Sequence, residues 1–345
     1  MSDKIRFRIP KILPYFQRLI DHWEWNIKSV IKPQDALRDR VAGKVVMLTG
    51  ASSGIGALVA HRLAEAGATV LLTARSKDTL TDMAEDIRAA GGKAFVYAGN
   101  LTDMNDCDRI CQEALRDHGR VDILINNAGR SIRRSIKFTF DRFHDYERTM
   151  QLNYFGAIRM AMNLLPGMVA RNEGHIVNVS TLGVQANPAR FSAYLASKWA
   201  LEGWSWVAAN EFAHTGIRFS TLNYPLVRTP MIAPTKIYRY MPVMSPQTAV
   251  RWMLDIIITQ NKRKMSVAGL IALAGYYLSP KTAETFINAT YQVVHEEPPA
   301  NYEETLQKFK PDTAAQQTAE VVTDNNNAAP RTQKKVSETV STVRH

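Results

Sequence analysis

From Lys44 to Asn223 short apolar runs alternate with amphipathic stretches. Val45–Thr49, Thr69–Thr73, Lys93–Ala98, Val121–Asn126, His175–Val179 and Ile217–Asn223 read as strands. They are too continuously apolar to leave one face wet, so they predict a parallel sheet covered on both sides. Between them Leu58–Ala66, Thr79–Ala90, Met104–Asp117, Phe143–Leu165 and Ala193–His214 carry helical spacing. Gly67, Gly91-Gly92 and Pro166-Gly167 serve as stop signals. Strand and helix in strict alternation predict an α/β fold, a doubly wound parallel sheet of Rossmann type.

The alternation fades after Pro225. Segment 228–246 carries four prolines and predicts a mobile flap, with Met231, Ile232, Ile237, Tyr238, Met241 and Met244 placed to cover an apolar ligand. From residue 301 the chain turns polar and repetitive, which predicts a disordered tail. The expected organisation is a basic-aromatic extension over 1–40, one catalytic domain over 41–300 and the tail over 301–345. Trp199, Trp204 and Trp206 are expected to fill core or a subunit interface, and a homo-oligomer is expected.

Composition narrows the function classes. Two cysteines in 345 residues exclude a disulfide framework and fit a reducing compartment. The net charge of +11 is uneven, with ten Lys or Arg against five Asp or Glu in residues 1–44. Arg130, Arg133, Arg134 and Lys137 form a second basic cluster with no acid near it in sequence. Such patches attract phosphate. No base-reading motif accompanies them, so nucleic acid is not expected as a partner. The N-terminus lacks the apolar stretch of a signal peptide, and the longest uncharged run, Met265 to Pro280, is too short to span a bilayer. A cytosolic protein is expected, with residues 1–40 suited to a peripheral membrane contact or to packing on the domain.

Candidate chemistry sits at the ends of the predicted strands. Thr49-Gly50-Ala51-Ser52-Ser53-Gly54-Ile55-Gly56 joins the first strand to the first helix, where bare backbone can approach a pyrophosphate. After the second strand comes Arg75-Ser76 in place of an acid. An acid there would hold ribose hydroxyls; Arg75 and Ser76 suit a 2′-phosphate, hence NADPH. Tyr194 and Lys198 lie four apart on a helix and share a face. A lysine ammonium beside a phenol favours the phenolate, so Tyr194 is expected to exchange a proton with a carbonyl oxygen as hydride moves. No metal site is expected.

TGASSGIG at 49–56, NNAG at 126–129, Asn153, Ser180-Thr181 and YLASK at 194–198 together resemble the short-chain dehydrogenase/reductase family over residues 43–230. The resemblance implies a hydroxyl–Tyr–Lys site with an assisting Asn. It places Tyr194 and Lys198 as the catalytic pair, Thr181 as the hydroxyl and Asn153 as the holder of a relay water. It places Asn127, Ala128 and Gly129 along the cofactor cleft, with Val227 and Thr229 at its nicotinamide end. Three positions depart from the family pattern. Thr181 replaces the usual Ser, with Ser180 one residue earlier as the rival hydroxyl and a substrate contact. Asn100, with Leu101 beside it, replaces an Asp that meets the adenine. Tyr224-Pro225 replaces Pro-Gly.

Longer stretches, INNAGRSIRR at 125–134, FDRFHDYERTMQLNYFGA at 140–157 and PLVRTPMIAPTKIY at 225–238, are similar to the bacterial long-chain fatty acyl-CoA reductases of that family. The similarity implies a long-chain acyl-CoA substrate and an aldehyde product made with NADPH, of the kind used in wax-ester synthesis. Arg133 and Arg134 would then meet the CoA phosphates. Two other readings stay open: a reductase of another lipid carbonyl (a 3-oxoacyl thioester, a ketosteroid or a fatty aldehyde), and a non-catalytic NADPH-binding protein.

Overall fold

In a computed structural model the described residues are 33–308, apart from 234, 236, 237, 239, 240 and 295. Residues 1–32, Ile237 of the flap and the tail beyond Lys308 therefore lie outside the described residues. The chain divides into two units after Glu296. The second contributes one described helix, Tyr302–Lys308, where the sequence predicts disorder.

In the first unit β1 (Val45–Thr49), β2 (Thr69–Thr73), β3 (Lys93–Val96), β4 (Ile123–Asn126), β5 (Gly174–Thr181), β6 (Ile217–Tyr224) and β7 (Arg263–Met265) form one sheet. Its order is β3-β2-β1-β4-β5-β6-β7, and every neighbouring pair is parallel. The strand order reverses between β1 and β4. At such a switch the loops at the carboxyl ends part and leave a crevice for a ligand.

Helices cover both faces. On one side α1 (Pro33–Val41), α2 (Gly54–Glu65), α3 (Lys77–Ala89) and, later in the chain, Pro246–Thr259 bury Leu37, Val41, Val59, Leu63, Leu80, Ile87 and Met253 against the sheet. On the other, α4 (Met104–His118) buries Cys107, Ile110 and Cys111 beside Met160, Leu164 and Met168. The two cysteines are ordinary core side chains whose thiols burial pushes up to about 12.

The long helix predicted over 143–165 is three pieces: α5 (His144–Met150), a π-helical segment Gln151–Gly156, and α6 (Ala157–Arg171). It runs through Pro166 instead of stopping there. Pro166 is exposed, so water can take the carbonyl its ring leaves unbonded, and Met160, Leu164 and Met168 keep the apolar stripe unbroken. After β5 come α7 (Gly183–Ala186) and α8 (Ser192–Glu211). Beyond β6 the sequence predicts no elements, yet α9 (Pro246–Thr259), β7, α10 (Val267–Leu278) and α11 (Pro280–Val293) follow. Ser245 starts α9 by accepting from the Thr248 amide at 3.1 Å, with Pro246 in the first turn.

Candidate active site

The loop between β1 and α2 is packed backbone against backbone. Gly50 has φ +65, and a Cβ on it would stand 2.8 Å from the Ala128 Cα. A Cβ on Gly56 would stand 2.2 Å from the Gly50 carbonyl oxygen. The loop is pinned to the end of β4 from both sides. Asn127 Nδ2 donates to the carbonyls of Thr49 and Gly50, each at 3.1 Å. Thr49 Oγ1 accepts from the amides of Asn127 and Ala128, each at 3.0 Å. Ser53 precedes α2 without capping it, and Ser52 and Ile55 flank the turn. Thr229 closes the loop from the far side, 3.6 Å from where a Gly54 Cβ would be. Its chain is held by the pairing of Val227 with Met244. A glycine-lined helix N-terminus of this kind is a cradle for a pyrophosphate.

Next to it Arg75, Ala98, Gly99, Asn100, Asp106 and Arg109 line a cleft of about 390 Å³. Asn100 shapes its floor. Its amide donates to Asp106 at 2.8 Å, and its side-chain oxygen accepts from the Thr102 hydroxyl at 2.9 Å. Leu101 is buried, and its carbonyl lies 2.3 Å from where a Gly156 Cβ would be. Arg109 is committed to Asp106, Glu113 and the Ala98 carbonyl. Arg75 is exposed at the rim, and Ser76 bonds the Thr79 hydroxyl at 2.8 Å. Guanidinium and hydroxyl thus stand together at the end of β2, a donor set that fits a 2′-phosphate.

At the other end of the crevice β5 and α8 meet. The Thr181 side chain lies close enough to the Tyr194 phenol to favour its ionised form, and Thr181 Oγ1 accepts from the Gly183 amide at 3.1 Å. Strand alternation sends Ser180 the opposite way. Ser180 is 3% exposed and donates to Glu202 at 2.5 Å. The sequence left the two hydroxyls as rivals and counted Ser180 as a substrate contact. The strand puts Thr181 beside Tyr194 and Ser180 behind it.

Lys198 is buried, and its Nζ donates to the Val179 carbonyl at 2.8 Å. Gly129 lies against it: a Cβ there would be 3.5 Å from Lys198 Nζ and 3.4 Å from Asn153 Oδ1. Asn153 belongs to the π-helical segment, a distortion often found at functional sites. Its side chain accepts from the Arg130 amide at 2.8 Å and donates to the Arg130 carbonyl and to Ser197, each at 2.9 Å. Asn153 therefore locks the loop after Gly129 to α8.

The electrostatics differ from expectation at one point. Burial pushes the Tyr194 phenol up to about 12, against the lowering effect of Thr181. Burial also pushes the Lys198 ammonium down to about 8, opposed by Glu202. With its Nζ bonded to Val179, Lys198 does not depress the phenol here, and desolvation dominates.

The basic cluster is also not what the sequence implied. Asp145 is buried among Arg134, Arg142, Arg148 and His144, at 3.4, 3.2, 2.5 and 3.4 Å. Burial raises its carboxyl, but hydrogen bonds from Arg148 and Arg142 and the charge of Arg134 hold it below the usual range. Arg134 is thus paired with an acid that lies eleven positions later in the chain. Burial raises the Tyr238 phenol, and the charge of nearby Arg133 opposes the rise. Of the flap residues, Met244 is core, while Met231 and Met241 are half exposed.

Sequence reasoning missed two groups. Glu202, one turn beyond Lys198, is fully buried in a network with Ser180, Asn223 and Arg263. The i, i+4 spacing from Lys198 was the available signal. Arg190 (φ 74) begins the approach to α8. Its side chain donates to Glu296 at 2.8 Å and to the Tyr291 carbonyl at 3.0 Å, tying the end of α11 to the loop before Tyr194. Among the described residues no cluster of His, Cys, Asp or Glu is arranged to hold a metal ion.

The family profile of short chain dehydrogenases matches residues 44–237. The chain is 49% identical over 249 residues to a fatty acyl-CoA reductase of Acinetobacter baylyi, covering 72% of this chain and 84% of that one. It is 44% identical over 236 residues to a fatty acyl-CoA reductase of Mycobacterium tuberculosis, covering 68% and 79%. Among solved structures it is similar to a metagenomic short-chain oxidoreductase in complex with NADP, with a TM-score of 0.55 and 30% identity over 66% of this chain and 96% of that one. With the sheet order, the glycine loop and the Thr181–Tyr194–Lys198 geometry in place, these likenesses make the chain a member of the short-chain dehydrogenase family, an oxidoreductase.

Proposed function

We propose that the protein reduces long-chain fatty acyl-CoA to fatty aldehyde with NADPH. The observation that carries the catalytic part is the placement of the Tyr194 phenol beside Thr181 at the carboxyl end of β5, with Lys198 against Gly129 in the same crevice. The substrate class is supported by the 49% identical fatty acyl-CoA reductase, and the choice of NADPH by Arg75 and Ser76 at the end of β2.

When bound, the reduced nicotinamide supplies a hydride. Residues of the loop 50–56 would hold the pyrophosphate, Arg75 and Ser76 the 2′-phosphate, and Asn100 and Leu101 the adenine side. Thr181 and Tyr194 would bond the thioester carbonyl oxygen and stabilise the charge that develops on it. Tyr194 gives that oxygen its proton, and a high phenol pKa keeps the proton in place until it is needed. Lys198, bonded to the Val179 carbonyl and lying against Gly129, would hold the nicotinamide ribose side of the cofactor. The hemithioacetal then returns its hydroxyl proton to Tyr194 as the carbon–sulfur bond breaks, leaving aldehyde and CoA thiolate, which takes a proton from solvent. Arg133, beside Tyr238, and the outward edges of the Asp145-anchored arginines would meet the CoA phosphates.

Contact with a lipid surface belongs to the same proposal. Its support is the exposed apolar side chains of α10 and α11, among them Leu278 at 86% and Phe286 at 71%. Among the described residues no helix is long and apolar enough to cross a membrane.

The test is a substrate panel with the purified protein: palmitoyl-CoA, a 3-oxoacyl thioester, a ketosteroid and a fatty aldehyde, each with NADPH and NADH. The proposal expects thioester-dependent NADPH oxidation. Turnover confined to the keto or aldehyde substrates would reassign the substrate class, and no turnover on any of them would point to a binding protein.

A further inference from the structure

Behind the strand end that carries Thr181 lies a buried polar network that the proposed chemistry does not use. Its centre is Glu202 on α8, 0% exposed and one turn beyond Lys198. One carboxylate oxygen accepts from Ser180 of β5 at 2.5 Å and from the Asn223 amide of β6. The other accepts from Arg263 of β7 at 2.8 Å. Arg263 Nε also donates to Asn223 Oδ1 at 2.8 Å, and Asn223 Nδ2 donates to the Thr181 carbonyl at 3.2 Å. Gln185 of α7, with its amide oxygen towards Arg263, accepts from it at 2.7 Å and donates to the Leu182 carbonyl at 3.1 Å. Three strands and α8 thus meet at a single carboxylate, with α7 joined to it through Arg263.

A buried ion pair is a poor way to gain stability, since well-packed apolar side chains of the same volume do as well or better. Its position suggests another use. On one helix face, groups at i and i+4 are about 5–6 Å apart at Cβ. Glu202 is the charged group acting on the Lys198 ammonium. The ammonium otherwise donates to the Val179 carbonyl of β5 and lies against Gly129, beyond β4. Burial raises the Glu202 carboxyl, and the bonds from Ser180 and Asn223 together with the charges of Arg263 and Lys198 oppose that rise and favour the carboxylate.

We propose that Glu202 is a positioning residue that keeps Lys198 charged and in place under the nicotinamide, and that Arg263 sets how much of the Glu202 charge Lys198 feels. The proposal rests on Lys198 acting in the reaction and in cofactor binding. Burial favours neutral Lys198 and Glu202 favours the ammonium, so the two residues of the ion pair have opposite effects. Removing the Glu202 charge should make Lys198 lose its proton at lower pH. Removing the Arg263 charge should let it keep the proton to higher pH.

The experiment measures the pH dependence of kcat/KM, and in parallel NADPH affinity by fluorescence titration, for wild type, Glu202→Gln, Glu202→Asp and Arg263→Gln. Thermal melts followed by circular dichroism record folding. The wild type should lose activity and NADPH affinity as pH rises through about 8. In Glu202→Gln that limb should move down by on the order of one pH unit, and in Arg263→Gln up by a smaller amount. Glu202→Asp should bring the limb back toward the wild type even if turnover is lower. Should Arg263→Gln not fold, the contrast between Asp and Gln at position 202 carries the test alone. Limbs that stay fixed, or move the same way in both charge-removing variants, would overturn the proposal and leave the network a purely structural one. The NADPH titration needs no carbonyl substrate. A protein that turns over no thioester but shows the opposed shifts in NADPH affinity would therefore refute the substrate assignment and retain the role of Glu202.

Discussion

The β1–β4 half of the sheet and the α10–α11 hairpin make opposite use of their apolar residues. Every residue of β1 is buried, as are Leu71, Leu72, Leu124 and Ile125 in the neighbouring strands. In α11 no residue is buried, and in α10 only Gly269 is. Tyr277, Leu278 and Phe286 are each at least 70% exposed. The first region converts apolar surface into a fixed frame for glycine backbone. The second leaves its apolar surface outside and meets the site through its end, where Tyr291 and Glu296 hold Arg190. Tolerance to substitution should therefore differ sharply between them.

Glycine gives the widest contrast. Gly56→Ala forces a Cβ to within 2.2 Å of the Gly50 oxygen. NADPH binding should fall by at least a hundredfold, read by fluorescence titration. Gly275→Ala in α10 meets nothing within 4 Å. It should leave binding unchanged and raise stability by up to ~1 kcal/mol, because alanine is the better helix former. Equal losses in both variants would erase the distinction.

The two faces of β5 sharpen it next. Thr181→Ala removes the hydroxyl beside Tyr194 and should lower kcat by about a hundredfold or more with little change in melting temperature. Ser180→Ala removes a partner of buried Glu202 and should cost about 1–3 kcal/mol of stability. Kinetics and thermal melts on the pair would show whether function and support divide along the strand as the geometry indicates.

Arg75→Ala should raise the KM for NADPH about tenfold to a hundredfold, the range for a lost charge-assisted bond to phosphate, and leave NADH nearly unaffected. Equal effects on both cofactors would show a structural role for Arg75. The smallest effect belongs to the hairpin. Leu278→Gln should change stability by no more than about 0.5 kcal/mol. Leu72→Ala, at 0% exposure, should cost about 2–5 kcal/mol. A vesicle-flotation assay on Leu278→Gln and Phe286→Gln would then read any loss of lipid contact without confusion from unfolding.

What was legible in the sequence follows the same division. The bounds of β1 and β2 match the predicted runs residue for residue, because a short, continuously apolar strand buried on both faces has one reading. Pro166 reads as a stop in the sequence, yet on an exposed face water can take the carbonyl that its ring leaves unbonded, and the helix continues. The α10 sequence VAGLIALAGYYL is apolar all round, so it offers no periodicity to recognise. At three residues with Arg and Lys, β7 is an edge strand whose charges disguise it, and Arg263 becomes meaningful only once the fold brings Glu202 to it. Asp145 likewise joins Arg134 through a turn that no linear reading of charge reveals. The hydroxyl at Thr181 was placed by family resemblance, and the alternation of β5 separates it from Ser180.

The most direct test follows thiol, NADPH and aldehyde together in one reaction with palmitoyl-CoA, for wild type and for Tyr194→Phe. The account predicts that wild type releases one CoA thiol per NADPH oxidised, with the aldehyde captured by a hydrazine trap. It predicts that Tyr194→Phe binds NADPH normally but slows by several orders of magnitude. Thiol release without NADPH oxidation, or a Tyr194→Phe protein working at nearly the wild-type rate, would contradict it.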